Sequence, residues 1–460
     1  MNLSLATICQ HINGKLLTGN SELNINAIET DSRKLSADSL FFALEGENFD
    51  GHDYVAQAFR GGALAAVISR DIDMPPSEYQ DRALILVEDT MQALQALAGY
   101  YRQLFDIPVI AVSGSVGKTT TKELIHSCLS TRFRTMKTEA NFNNDIGLPL
   151  TIFKMERGHQ AAVLEMAMRG KGEILRLADI ARPTCSVITN VEGVHLETLG
   201  SVENIADAKC EILAFLEEKH YALINGDNEI LLKAASNYPC CVYTFGFNEN
   251  CDFKIDKITS DTRGMHMDMR LKGNPARFHF PIPSERLAAN IAACIGVSFL
   301  MGIDIDSIQI GLEAYKPSGN RLNITRFAEG GSLINDTYNA NPLSMTAALE
   351  TGRKIAGDGK LVAVLGDMFE LGAHEVEGHL LVGRKASELD LDTLVAVGSL
   401  AKHIATGAME AGMAAEKVHY FEDKSKSIKF LQQVFDKKDT IIFKASHGMH
   451  LETLVDKLFT

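Results

Sequence analysis

Residues 109–121, VIAVSGSVGKTTT, decide how the rest of the chain is read. The short apolar run Val109, Ile110, Ala111, Val112 predicts a buried parallel strand. It breaks at Ser113-Gly114-Ser115-Val116-Gly117, and a helix opens with Lys118-Thr119-Thr120. Strand, glycine loop and helix N-terminus form the arrangement that cradles phosphates. Glycines let backbone N–H groups turn inward, and the helix dipole favours an anion. Lys118 can then reach terminal phosphates, and the Thr119 hydroxyl suits Mg²⁺. The usual Walker spacing would need glycine at position 112, which is valine. Two residues separate Gly114 from Gly117, so the phosphate loop is a shortened one. An ordinary glycine turn with a capping serine is the plainer alternative. With strand, GKT and helix all in order, a bound nucleotide is the expectation.

Composition points to a large globular enzyme. A chain of 460 residues exceeds what one core accommodates, so about three domains are expected. Its 46% apolar and 23% charged residues exclude a disordered chain. The net charge of −14 argues against nucleic acid or an anionic membrane as partner. It leaves an anionic substrate open, because a local basic pocket outweighs net charge at short range. The eight cysteines form no C-x-x-C pair, which reads as reduced, mostly buried thiols. The start, MNLSLATICQH, has neither a basic n-region nor a long apolar core. A cytoplasmic protein without membrane insertion is therefore expected, and it is taken as a monomer. The most apolar stretch, residues 287–303, is short for a membrane span and contains Asn290 and Ser298, so it predicts a buried helix.

Three segments separate along the chain, giving an α/β reading. Residues 1–83 mix short strands and helices, with 40–44 strand-like and 46–51 a polar turn. Residues 84–314 begin with a helical stretch at 88–105 and then alternate strands and helices. The strands fall at 161–168, 186–191 and 221–225. That alternation predicts a mostly parallel sheet covered on both faces. Residues 265–271, MHMDMRL, alternate apolar and polar, which suits a half-exposed antiparallel strand at the sheet's edge. Residues 315–460 restart the pattern, with strands near 333 and at 361–365, 394–397 and 440–443, a Rossmann-like domain.

Polar residues at strand ends are the candidates for chemistry, because open parallel sheets bind ligands there. Glu165 lies in an apolar strand, where an unpaired carboxylate is costly; an ion pair is the plainer reading. His195 lies in the loop EGVHLETLG and by itself reads as solvated. Lys209, in a helical stretch, would by default face solvent. Asp336 closes a strand and leads into the turn Tyr338-Asn339-Ala340-Asn341-Pro342 before a helix.

Taken together, GSVGKTTTKE, EMAMRGKGEI, NVEGVHLETLGSVENIADAKCEI, LAANIAACIGVSFLMGI and NDTYNANPLSM followed by VLGDMFELG resemble the Mur ligases over essentially the whole chain. The YNANP and GDMFELG segments point to the branch that adds D-Ala-D-Ala to UDP-MurNAc-tripeptide. A D-N-P-R segment, the mark of the diaminopimelate- or lysine-adding branch, is lacking. The resemblance implies a UDP-substrate domain (1–83), a central P-loop ATPase-like domain (84–314) and a C-terminal ligase domain (315–460).

It also implies roles. Gly114, Ser115, Val116, Gly117, Lys118, Thr119 and Thr120 would wrap the ATP phosphates. Thr119, Glu165, His195 and Lys209 would hold Mg²⁺ at two sites, with Lys209 carbamylated into an anionic oxygen donor. Lys118, Lys209, Glu165 and His195 would thus be the catalytic set. Asn290 would meet adenine, and Arg321 and Asp336 would contact phosphate and ribose. Ser32, Arg33, Asp50, Gly51, His52, Thr138, Asn141, Asn143 and Asn144 would face the UDP-substrate. The family's K-G-S-R-G-M segment is here Lys444-Ala445-Ser446-His447-Gly448-Met449, which puts His447 where the resemblance implies an arginine. The expected reaction is amide formation through an acyl phosphate. Another amino-acid-adding Mur enzyme or a folylpolyglutamate synthase shares these ATP residues. A GTPase-type switch would need N-K-x-D, which is lacking, and a dead scaffold would not keep all five of Lys118, Thr119, Glu165, His195 and Lys209.

Overall fold

The computed structural model describes residues 1–46, 49–72, 81–193 and 196–459. Its backbone divides into two compact units. One comprises Met1–Phe253 with Ala293–Ile308, and the other Lys254–Ala292 with Gln309–Thr460.

The first unit holds a small antiparallel pair, Leu3–Ser4 with Asn24–Ile25, and two larger sheets. Near its N-terminus a five-stranded sheet runs in the order Lys15–Thr18, Ala83–Leu86, Ala65–Ile68, Ser39–Phe42, Ala27–Glu29. Only Lys15–Thr18 pairs antiparallel. The second sheet is parallel across the strands Cys241–Gly246, Tyr221–Asn225, Cys185–Ile188, Val109–Ser113, Ala161–Glu165 and Thr135–Lys137, taken in spatial order. Val109–Ser113 is buried throughout, as its continuous apolar run predicts for a strand covered on both faces. It pairs with Ala161–Glu165 on one side and Cys185–Ile188 on the other. The chain leaves it toward Thr135–Lys137 and later crosses back to Cys185–Ile188. This strand therefore stands at the switch point, where a crevice opens beyond the strand ends.

In the second unit, Gly264–Leu271 pairs antiparallel with Asn274–Phe280, and its burial alternates as the MHMDMRL pattern predicts. A six-stranded sheet follows in the order Asn323–Arg326, Ser332–Asp336, Thr440–Lys444, Leu361–Gly366, Thr393–Val397, Val418–Phe421. All its pairs are parallel except the first. Period-two alternation sends Ile334, Ala363, Leu365, Leu394, Ala396 and Ile442 to one core, and Leu333, Val362, Val364, Val395, Ile441 and Phe443 to the other. Helices Pro342–Ala356, Glu375–Glu388 and Lys402–Glu410 cover the first face, and Lys424–Val434 and Glu452–Phe459 the second.

Two expectations shift in detail. The strand expected at 161–168 ends at Glu165, which puts that carboxylate at the strand's C-terminal tip. The apolar stretch at 287–303 forms helix Ala288–Leu300, with Ile291, Cys294, Ile295 and Val297 buried. No helix among the described residues is long and apolar enough to cross a membrane.

Candidate functional site

The phosphate loop takes its shape from two glycines and from the neighbouring strand. Gly114 has φ +148° and Gly117 φ +83°, the latter capping helix Lys118–Leu129 in the left-handed region. A Cβ at Gly114 would lie 1.9 Å from Thr189 Oγ1, so no side chain fits there. Residues just beyond strand Cys185–Ile188 strap the loop down. Thr189 Oγ1 donates to the Val116 carbonyl (2.6 Å), and Val116 N donates to Asn190 Oδ1 (2.9 Å). Ser115 N donates to the Asn190 carbonyl (3.1 Å), while Ser115 Oγ accepts from Glu192 N (3.0 Å). Lys118 Nζ folds back over the loop to the Gly114 (2.9 Å) and Ser115 (3.2 Å) carbonyls. Thr119 and Thr120 follow on the first helical turn, half-buried.

Glu165 comes up beside this turn from the adjacent strand, 2% exposed. Its Oε1 accepts from Thr119 Oγ1 (3.2 Å) and Asn143 Nδ2 (2.8 Å), and its backbone N–H donates to Thr138 Oγ1 (2.9 Å). Its Oε2 is buried and accepts no hydrogen bond among the described residues. A buried carboxylate oxygen left open beside a threonine hydroxyl is a hard-oxygen donor set, and it fits Mg²⁺. Lys122, four residues after Lys118, lies 3.7 Å from that oxygen and is wholly buried.

Lys209 lies in the last turn of helix Val202–Cys210 and is 3% exposed, so it is not the solvent-facing lysine that its helix position suggests. Burial, and then the charge of nearby Lys118, hold its amine down at about 7. A substantial share of that amine is therefore neutral near pH 7, the state in which a lysine is a nucleophile. His195 lies outside the described residues.

The other expected residues divide by environment. Thr138 is fully buried and serves Glu165 and Lys122, whose Nζ donates to its carbonyl (2.8 Å). Asn144 Oδ1 accepts from Gly147 N (2.9 Å), at the start of helix Gly147–Ile152, and Asn141 is exposed. In the N-terminal sheet's loops, exposed Arg33 forks onto Asp31 at 2.8 and 2.9 Å and, chiefly through those hydrogen bonds, holds its carboxyl at about 2. Ser32 between them is half-buried. Glu45, Asp50 and His52 approach one another as metal ligands do. However, His52 Nε2 accepts from Ser69 N (3.0 Å) and its Nδ1 lies 2.6 Å from Asp50 Oδ1, so both ring nitrogens are engaged. Burial pushes the Asp50 carboxyl up, but hydrogen bonds from Arg70 and His52 outweigh it and hold the group well below the carboxylate range. A Cβ at Gly51 would strike the Leu44 backbone at 2.6 Å, so this turn needs glycine. These contacts fix the shape of the turn.

In the second unit, Asp336 ends its strand with both oxygens taken, Oδ2 by Lys444 Nζ (2.6 Å) and Oδ1 by Leu322 N (2.9 Å). The Arg321 guanidinium lies 3.8 Å over the Tyr338 ring, and His447 meets that ring edge-on at 5.6 Å. His447 thus has an aromatic contact that no sequence motif signalled. Asn341 and Ser344 cap helix Pro342–Ala356 reciprocally. Asp367, inside the GDMFELG segment, is buried and accepts from Leu400 N (3.0 Å) and Ala401 N (2.7 Å). Asn290 sits half-buried on helix Ala288–Leu300.

The residues missed by sequence reasoning are Lys122, Glu123 and Asp367. The signal for the first was available: Lys118 and Lys122 share one helix face at i, i+4, and GKTTTKE contains both.

Three family models match the chain in order. They are the Mur ligase family catalytic domain at residues 24–102, the Mur ligase middle domain at 112–298, and the Mur ligase glutamate ligase domain at 320–447. A Bacillus subtilis (strain 168) protein named UDP-N-acetylmuramoyl-tripeptide–D-alanyl-D-alanine ligase is 39% identical over 456 residues, 99% of this chain and 98% of its own. Among solved structures, a MurF from Acinetobacter baumannii superposes with a TM-score of 0.90 at 31% identity, covering 100% of this chain and 99% of that one. A MurF ligase from Thermotoga maritima in complex with ADP gives 0.80 at 29% identity, with 94% and 96% covered. Shared at this level over its whole length, the resemblance assigns the chain: it belongs to the Mur ligase family.

Proposed function

We propose that this chain is the ATP-dependent ligase that joins D-Ala-D-Ala to UDP-MurNAc-tripeptide in peptidoglycan precursor synthesis. The observation that carries the reading is the strapped phosphate loop, with Lys118 over it and Glu165 presenting an open oxygen beside Thr119. The name of the full-length Bacillus subtilis relative supports the substrate choice. Residues 1–83 would hold the UDP moiety, 84–314 ATP and 315–460 the ligase chemistry. The three family models, at 24–102, 112–298 and 320–447, favour this division. A cytoplasmic monomer suits such a reaction.

The terminal carboxylate of the tripeptide attacks the γ-phosphorus of ATP, giving an acyl phosphate and ADP. The D-Ala-D-Ala amine then attacks the acyl carbon, an amide forms and phosphate leaves. A bare carboxylate is a poor electrophile, and phosphorylation supplies the leaving group. The loop N–H groups of Gly114, Ser115, Val116 and Gly117, with Thr120, bind the phosphates. Lys118 swings from its carbonyls to the γ-phosphoryl group, where charge develops. Thr119, Glu165, His195 and carbamylated Lys209 would hold Mg²⁺ at two sites, and there it would neutralise phosphoryl charge. The Lys209 amine reaches that state by attacking CO₂ while neutral and losing a proton. Asn290 would contact adenine, Arg321 phosphate and Asp336 ribose. Ser32, Arg33, Asp50, Gly51, His52, Asn141, Asn143 and Asn144 would line the UDP-substrate path, with Thr138 behind them.

Phosphate release with ATP, UDP-MurNAc-tripeptide and D-Ala-D-Ala, omitting each in turn, tests the assignment. Sustained turnover should need all three. Comparable turnover with UDP-MurNAc-dipeptide and free diaminopimelate or lysine would overturn it.

A further inference from the structure

The helix that opens on the phosphate loop hides a charge network that the reaction as described does not use. Lys122 is 0% exposed, closed off from solvent. A buried ammonium is costly unless it is paired, and an apolar side chain of similar length would fill the same space without that cost. Its donors are committed unequally. Nζ donates to the Thr138 carbonyl at 2.8 Å and pairs with Glu123 Oε1 at 3.1 Å. The other Glu123 oxygen is taken by Lys137. A further charged neighbour among the described residues is Glu165 Oε2 at 3.7 Å, too far for a hydrogen bond and close enough for strong attraction inside a protein. Glu165 is clamped on its other oxygen by Thr119 and Asn143.

The geometry points to Lys122 as a positioning residue for Glu165. Held back by Thr138 and Glu123, its ammonium balances and orients the carboxylate while leaving Oε2 open to a divalent cation. The inference rests on the reading of Glu165 and Thr119 as magnesium ligands. The separation is the informative feature. A lysine in full contact with Oε2 would occupy the ligand position, and an apolar residue would leave the carboxylate without an anchor on that side. Thr138 thereby gains a role, since its hydroxyl fixes the Glu165 backbone and its carbonyl fixes Lys122. One threonine sets the distance between the two charges.

The test is binding of a fluorescent ATP analogue (N-methylanthraniloyl-ATP) to the full chain during titration with MgCl₂, without tripeptide or acceptor. Lys122→Met should raise the half-saturating Mg²⁺ concentration about tenfold, the scale on which outer partners of metal ligands act. Nucleotide binding in EDTA should be unchanged. Because Lys122→Met leaves Glu123 and Glu165 facing each other, the double variant Lys122→Met/Glu123→Gln is needed to restore charge balance and folding. It should regain the parent's thermal stability yet keep the raised Mg²⁺ requirement. A purely structural lysine would let both return together, and a folded double variant with the parent's Mg²⁺ requirement overturns the inference. Glu165→Gln serves as reference. If it raises the requirement and the Lys122 variants do not, this inference alone fails; if it too changes nothing, the magnesium reading fails with it.

Discussion

Around the phosphate loop, polar groups are buried with their valences partly open. Glu165 Oε2 accepts no hydrogen bond among the described residues, and the Lys209 amine is buried and driven toward neutrality by burial and by Lys118. Around the YNANP turn the opposite holds. Asp336, Asn341 and Asp367 have their oxygens on named donors, and buried His379 accepts from Met368 N (3.0 Å) while its Nδ1 faces the Glu375 carbonyl (2.7 Å). Unfinished valences cost stability and are kept where a ligand completes them; finished ones hold a scaffold. Variants should therefore lose activity without stability at Lys118 and Lys209, and stability without intrinsic activity at Asp367.

The strongest break would come at Lys209. Lys209→Arg keeps a cation but cannot form a carbamate, so ADP formation should fall below detection. Lys209→Ala should fail too and regain part of its rate with added formate, which supplies the missing oxygens. Full activity in the arginine variant would return this residue to an ordinary ion-pairing role. Next comes Lys118→Ala, expected to slow ADP formation on the order of a thousandfold. Its thermal unfolding should match the parent's, because Lys118 rests on loop carbonyls and contributes little to a core. A large loss of stability there would blur the contrast.

In the second region, Asp367→Ala strands the Leu400 and Ala401 N–H groups and should cost about 1–3 kcal/mol in urea denaturation. The rate per folded molecule should hold. A selective loss of rate would mean that the GDMFELG segment takes part in the chemistry directly. The smallest effect concerns Lys209→Met in metal-free, CO₂-depleted buffer. The native amine's pKa is lowered in the folded state to about 7, so below that pH it must stay charged while buried. As pH rises above about 7 the unfolded chain holds the extra proton and the parent's stability climbs. The methionine variant should accordingly gain most over the parent at pH 6 and less at pH 8, measured by thermal melts.

Legibility in the sequence followed element length and chemistry. The strand, loop and helix at 109–121 were readable because a continuous apolar run, two glycines and GKT each constrain the backbone independently. Tyr221–Asn225 was found residue for residue. Lys15–Thr18 and Ala27–Glu29 were not, since runs of three or four residues give no period to read. Val418–Phe421 was missed because this strand, last in its sheet, has no fully buried residue. The burial of Lys209 was unreadable for another reason: whether a helical lysine is covered depends on what packs over it, and no local pattern encodes that. Thr138 showed the converse. The family resemblance placed it in a polar loop facing the UDP-substrate, and in the structure it is fully buried, with its hydroxyl accepting from the Glu165 backbone N–H.

The strap of Thr189, Asn190 and Glu192 across the glycine loop has a thermodynamic reach. Glycine loops pay heavily when a guest freezes them. Here the freezing is done during folding, by bonds at Val116 and Ser115 that owe nothing to nucleotide. Capture of the triphosphate can then proceed with little ordering entropy lost from the loop. Loosening a single hydroxyl just beyond the neighbouring strand, by Thr189→Val, would transfer that cost from the folding of the chain to the arrival of the nucleotide.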